Sequence, residues 1–220
     1  RRLQFNGTLF YVTYDDFQSQ TFDGTTLRVT NAGNLESYGA EIEAMYVPNS
    51  EFTLGTAIGY NETEYESFDN GQCTVEQAFT QYYIDEGAQT GAPSTLGSCV
   101  QDLAGQPLAN APEWTFSSFV QYDRPLGDEL ATLIRLEHNY IDGHFLEEDL
   151  DPHLKNDSVN LVNFRIGLHD QARTWEATLR GRNLLDEEYY VYVLDIPTLG
   201  GYAGFVSPEA TYGITLRLYR

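Results

Sequence analysis

The sequence predicts an all-β chain whose antiparallel strands form a transmembrane β-barrel segment, and three observations carry that expectation. The connections alternate in length. Short ones fall at Pro48-Asn49-Ser50, at 123–128 and at 169–173; long polar ones fall at about 61–112, 142–157 and 185–208. Tight turns at one end and long loops at the other are the pattern of outer-membrane barrels. The segments between them alternate apolar and polar residues with a period of two, so each demands one apolar face. Finally, mean hydropathy is −0.39 and no stretch approaches 18 consecutive apolar residues, which excludes a membrane-spanning helix. A barrel survives that test because only alternate residues face lipid.

Eight strands are expected. The first spans about 3–22 and turns at Asp23-Gly24, a two-residue hairpin signal that is tight although it shares the long-loop end. Its facing is ambiguous, since Leu9 and Tyr11 compete with Phe10, Val12 and Tyr14. The second runs back over 25–47, with Asn31-Ala32-Gly33-Asn34 as a bulge or kink. The third covers 51–61. In the fourth, 113–122, Trp114, Phe116, Val120 and Tyr122 oppose Thr115, Ser117 and Gln121. In the fifth, 129–141, Ile134, Leu136 and Tyr140 oppose Arg135, Glu137 and Asn139. In the sixth, 159–169, Val162, Phe164, Ile166 and Leu168 oppose Asn163, Arg165 and Gly167. The seventh is 174–184, and the eighth, 211–220, sets Tyr212, Ile214, Leu216 and Leu218 against Thr215 and Arg217. Most have about ten residues, the length a tilted strand needs to cross a bilayer. A soluble β-sandwich would alternate too. Aromatic ends on the apolar faces (Trp114 and Tyr122, Phe52 and Tyr60) and charged opposite faces (Arg135-Glu137, Arg180-Arg182) favour the barrel.

The chain has 220 residues, 16 of them Tyr, and a formal net charge of −21. That charge argues against nucleic acid as a partner. The acids concentrate in the long connections. Residues 61–111 hold eight and no Lys or Arg; 142–157 hold six against Lys155; 185–208 hold four and no Lys or Arg. The bland reading is a solvated face; the sharper one is binding of a divalent cation or cationic ligand. Cys73 and Cys99, the two cysteines, share the longest loop without a C-x2-C metal spacing. They read as a loop-closing disulfide in an oxidising compartment, the alternative being two unpaired thiols. No signal peptide is visible, and the Arg1-Arg2-Leu3 start reads as that of a mature product or fragment.

Four stretches resemble the C-terminal part of TonB-dependent outer-membrane receptors. Residues 29–43, with Asn31-Ala32-Gly33, Ser37, Gly39, Glu41 and Glu43, are similar to that family's N-A-G-x-x-x-S-x-G-x-E-x-E strand. Asn110-Ala111-Pro112-Glu113-Trp114 resembles its N-A-P-x-W strand start. Residues 181–190, with Asn183-Leu184-Leu185-Asp186, resemble its N-L-x-D-x-x-Y element, and 208–219 its terminal strand. The resemblance implies that residues 1–220 are about the last eight strands of a 22-stranded barrel, with the plug domain and TonB box lying outside the chain. It implies an active transporter in the bacterial outer membrane, taking up a scarce nutrient such as a metal chelate, cofactor, carbohydrate or peptide. The implied partners are the rest of the barrel, the plug, the TonB–ExbB–ExbD energy-coupling complex, and lipid with lipopolysaccharide. The family usually ends in an aromatic residue; that position here aligns with Arg220.

No catalytic constellation is present. His138, His144, His153 and His169 form no i, i+4 pair, and neither a phosphate loop nor G-x-S-x-G occurs. The chain is therefore expected to be no enzyme and to need no cofactor. Lumen-facing candidates are Arg135, Glu137, Arg165, Arg180 and Arg182, with plain hydration and cross-strand pairing as the simpler account. Glu147, Glu148, Asp149 and Asp151 form a weak calcium candidate, since the run lacks D-x-D-x-D-G spacing. The alternative function is a self-contained eight-stranded barrel acting as a small pore, anchor or adhesion surface.

Overall fold

A computed structural model describes residues 2–22, 26–85, 99–172, 174–196 and 200–219. In chain order the strands are β1 (Leu3–Tyr14), β2 (Gln18–Phe22), β3 (Leu27–Asn31), β4 (Leu35–Tyr46), β5 (Phe52–Tyr65), β6 (Gly71–Gln72), β7 (Val100–Gln101), β8 (Trp114–Leu126), β9 (Leu130–Ile141), β10 (His144–Phe145), β11 (Lys155–Asn156), β12 (Val159–Asp170), β13 (Trp175–Arg182), β14 (Tyr190–Ile196), β15 (Gly201–Val206) and β16 (Thr211–Leu218). A helix, α1 (Val75–Asp85), and a 3-10 turn, Pro152–Leu154, lie in the connections. Eight strands form one antiparallel sheet in the order β1-β4-β5-β8-β9-β12-β13-β16. Each pairs with its neighbour in the chain's up-and-down path, and among the described residues no ladder joins β1 to β16.

The register separates two faces. Residues directly opposed across a ladder share a face. One continuous set therefore runs Leu9–Ala40–Tyr60–Trp114, another Ile58–Phe116–Tyr140, and a third Tyr122–Ile134–Ile166–Leu179–Ile214. This face is apolar yet uncovered: Ile134, Ile166 and Leu179 remain over two-fifths exposed on interior strands. A sandwich would bury such a face; lipid suits it. The register also resolves β1, whose Leu3, Phe5, Leu9 and Tyr11 join the apolar face.

Aromatic rings collect at both ends of that face. Tyr60 meets Trp114 (centroids 4.7 Å apart) and Phe116 meets Tyr140 (5.4 Å) near the long loops, while Phe52 meets Tyr122 (4.8 Å) near the short turns. Eight residues separate Phe52 from Tyr60. That is roughly 26 Å along the strand, or about 20 Å after a ~40° tilt, close to the ~25 Å apolar band between aromatic girdles.

The expected first strand is broken in two. β1 ends at Tyr14, and β2 with β3 forms a separate hairpin whose turn at Asp23-Gly24 lies outside the described residues. The break is built by the N-A-G run. Asn31 donates to Asp16 Oδ1 (2.9 Å) and accepts from the Gly33 amide (2.7 Å). Ala32 is fully buried. Gly33 has φ 69, and a Cβ there would sit 2.4 Å from Ser67 Oγ, so both conformation and space require glycine. The connection between β1 and β4 thus carries its own hairpin, β2 with β3, and belongs with the long connections at that end of the sheet.

The compact core lies at the long-loop end of the sheet, where the loops pack on the ends of β4 and β5. Ala32, Leu35, Tyr65, Phe68, Leu103, Ala109 and Leu150 are buried together, with Phe17, Leu108 and Phe145 packed against them. The long polar connections carry their own pairs, β6 with β7, β10 with β11 and β14 with β15.

Candidate functional site

The polar face of β8, β9, β12, β13 and β16 forms a trough of about 420 Å³ lined by Gln121, Arg135, Glu137, Arg165, Arg180, Arg182 and Arg217 among others. All five lumen candidates of the sequence line this one trough. Register explains why: Arg135 is opposed to Arg165, and Arg165 to Arg180. Three guanidinium groups in a row repel one another, and two are offset. Arg135 contacts Glu137 (2.5 Å) and Gln121 (3.2 Å), and its guanidinium lies 3.7 Å from the centre of the Phe119 ring. Arg165 contacts Glu176 at 2.6 Å, and Glu176 also receives Thr178 Oγ1 (2.8 Å) and lies 3.9 Å from Arg217. Arg180 and Arg182 have no carboxylate partner among the described residues. Such solvent-accessible pairs add about 0–1 kcal/mol each to stability. The arginine row is a cationic strip in a chain of net charge −21. Glu176, the pivot of these pairs, was missed in the sequence reading; its parity with Thr178, Arg180 and Arg182 was the available signal.

Above the sheet, the Cys73–Cys99 disulfide is present, with a Cα–Cα distance of 5.5 Å. It closes the loop that carries α1. That helix starts with a reciprocal cap: the Gln77 amide donates to Thr74 Oγ1 (3.2 Å) and the Thr74 amide to Gln77 Oε1 (2.9 Å). Cys73, Val75 and Ala78 are buried against Phe79 and Cys99.

The acidic run divides by role. Glu148 accepts from Tyr65 Oη (2.9 Å) and Ser19 Oγ (3.4 Å), tying its loop to β5 and β2. Glu147 lines a pocket of about 270 Å³ together with Glu148, Asp149 and Asp195. Burial, then the Asp195 and Glu148 charges, push its carboxyl up to about 7. Burial also raises Asp149 and Asp195, and the Asp195 charge raises Asp149 further. Asp151 caps the 3-10 turn by accepting from the His153 amide (2.8 Å), and it receives Tyr202 Oη at 2.9 Å. Asp195 was not among the sequence candidates. A lone carboxylate inside the apolar run Tyr190–Ile196 was the signal that pointed to it.

Comparison with known proteins agrees with this geometry. The family model described as TonB dependent receptor-like, beta-barrel matches residues 1–184. Comparison with curated proteins finds no match. Among solved structures, the ferric yersiniabactin uptake receptor FyuA from Yersinia pestis superposes with TM-score 0.71 at 17% identity, over 99% of this chain and 27% of that one. The siderophore receptor PiuA from Acinetobacter baumannii gives 0.63 at 13% identity, covering 98% and 26%. The copper transporter OprC gives 0.61 at 10%, covering 98% and 28%. At these identities the likeness concerns the fold. The chain spans about a quarter of the length of these structures.

Proposed function

We propose, from the premise that this chain belongs to the TonB-dependent receptor β-barrel family, that it forms part of the wall of an active transporter taking up a scarce nutrient. The family's barrels lie in the bacterial outer membrane, and their business is transport rather than catalysis. The observation that carries the reading is the sorting of faces by register. An uncovered apolar face meets lipid, and behind it an arginine-rich trough faces a lumen. In this reading Arg135, Glu137, Arg165, Arg180 and Arg182 line the path. Arg180 and Arg182, without a carboxylate partner among the described residues, would meet a plug carboxylate or an anionic solute. The long loops then face outward, and residues 1–220 contribute eight strands of a larger barrel. The remaining strands, an internal plug and the TonB–ExbB–ExbD complex are the partners this reading requires.

The substrate class is a scarce metal chelate, cofactor, carbohydrate or peptide; solved structures of this fold are named as a ferric yersiniabactin uptake receptor, a siderophore receptor and a copper transporter. The test is accumulation of labelled iron chelates, copper, cobalamin and oligosaccharides by native cells with and without the gene. Uptake of one nutrient against its gradient, abolished by a protonophore and by loss of TonB, is expected. Leakage of many small solutes that scales with expression and ignores the protonophore would contradict it and point to a passive pore.

A further inference from the structure

We propose that Asp149, Asp151 and Asp195 form a calcium site that clamps the loop between β9 and β12 to the β14–β15 hairpin. Each residue offers a carboxylate oxygen, and these oxygens lie within 4.8 Å of one another. Calcium holds oxygen ligands at ~2.3–2.6 Å, so ligands on opposite sides of the ion are separated by about that span. The three residues are only 3%, 1% and 6% exposed. Asp149 Oδ2 and Asp195 Oδ1 are buried and receive no N–H or O–H from any other group; the two carboxyl groups face each other at hydrogen-bond range, where they must share either a proton or a cation. The other contacts are accounted for: Asp149 Oδ1 accepts from the Asp151 amide (3.2 Å), and Asp151 receives the His153 amide and the Tyr202 hydroxyl. No cationic side chain pairs with the cluster among the described residues; the ion pairs lie on the sheet. Three ionised carboxylates buried together are strongly unfavourable; a shared proton relieves only the Asp149–Asp195 contact, whereas a cation neutralises all three at once.

The donor set selects the metal. All three side chains are carboxylates, which suit a hard cation rather than zinc or copper(I). The ligands come from the loop leading into a 3-10 turn and from a hairpin, an irregular frame that calcium's flexible six-to-eight coordination accepts. Magnesium demands near-ideal octahedral geometry at ~2.0–2.1 Å. Asp149 and Asp195 also line the acidic pocket of about 270 Å³, where carbonyls and water can complete the shell. Glu148 stays outside the ligand set, because Tyr65 and Ser19 already occupy it. The inference concerns loop architecture and does not depend on what is transported.

The test uses the protein purified from outer membranes in detergent, stripped with a chelator, and equilibrated against radioactive calcium at about 1 mM. Sites in extracellular modules bind with Kd of about 10⁻⁴–10⁻³ M. The wild type should bind one calcium per chain more than the D149N/D195N variant, and equimolar magnesium should not displace it. Calcium should slow proteinase K cleavage within 142–158 at least ~10-fold in the wild type alone. Heat-modifiable migration reports that each barrel is folded. If the double variant does not assemble, Asp195→Asn alone replaces it, since the β14–β15 ladder uses backbone groups. Equal calcium binding by wild type and variant would overturn the proposal. So would loop protection that is independent of calcium, the result expected if the carboxylates merely share protons. Transport assays can fail while this site stands, and the reverse.

Discussion

At the scale of single residues, a few asparagines and glycines decide where the sheet stops. Asn183 ends β13 at φ 52. Its side chain donates to the Glu187 (2.9 Å) and Pro208 (3.2 Å) carbonyls and accepts from the Glu187 amide (3.0 Å), while its own amide donates to Asn163 Oδ1. Asn183→Ala is expected to cost about 2–3 kcal/mol, because it leaves buried groups unpaired. Asn183→Asp should cost at least as much, since a carboxylate would face two carbonyls. Unfolding of the purified protein in lipid vesicles measures both; a near-neutral Ala variant would remove the cap from the account. The same assay tests facing. Ile134→Arg should cost roughly 2–4 kcal/mol near the bilayer centre, and Thr215→Glu, a charge placed in the trough beside Arg180 and Arg217, little. Thr215 is a cleaner control than Asn163, which holds the Asn183 amide. The motifs around Asn31, Asn110 and Asn183 are visible in the sequence, but their roles are not. Asn110, for example, donates its side-chain amide to the Leu146 carbonyl 36 residues away (3.0 Å).

At the scale of elements, the eight sheet strands were legible because a half-buried strand writes its period of two into the chain. The loops were not. β6, β7, β10 and β11 are two residues each and too short to show any period. The β14–β15 hairpin was hidden because Tyr190–Ile196 is apolar on both parities, a pattern that periodicity cannot assign. α1 left one readable mark, the Thr74 to Gln77 capping box, which lies next to Cys73. The disulfide joins residues 26 apart, and closing such a loop is worth about 3–4 kcal/mol in the chain-entropy model. Replacing Cys73 and Cys99 by Ser should therefore expose the loop to protease while leaving heat-modifiable migration unchanged, since neither cysteine lies in the eight-stranded sheet. Loss of barrel assembly in that variant would show that the loop is part of the folding core.

At the scale of the whole molecule, the sheet's two edges carry the argument. The backbone groups on the outer sides of β1 and β16 have no ladder among the described residues. Open edges are untenable in lipid, so each must find a neighbour. In a transporter barrel they find different ones; in a small eight-stranded barrel they would find each other. The acidic loops and cationic trough fit the larger object, because eight strands enclose only enough room for side chains. The most direct measurement is a cryo-electron microscopy structure of the native protein extracted from its outer membrane. The account predicts that β1 and β16 each pair with strands outside residues 1–220, around a lumen lined by Arg135, Arg165 and Arg180. Backbone hydrogen bonds running directly between Leu3–Tyr14 and Thr211–Leu218 would contradict it.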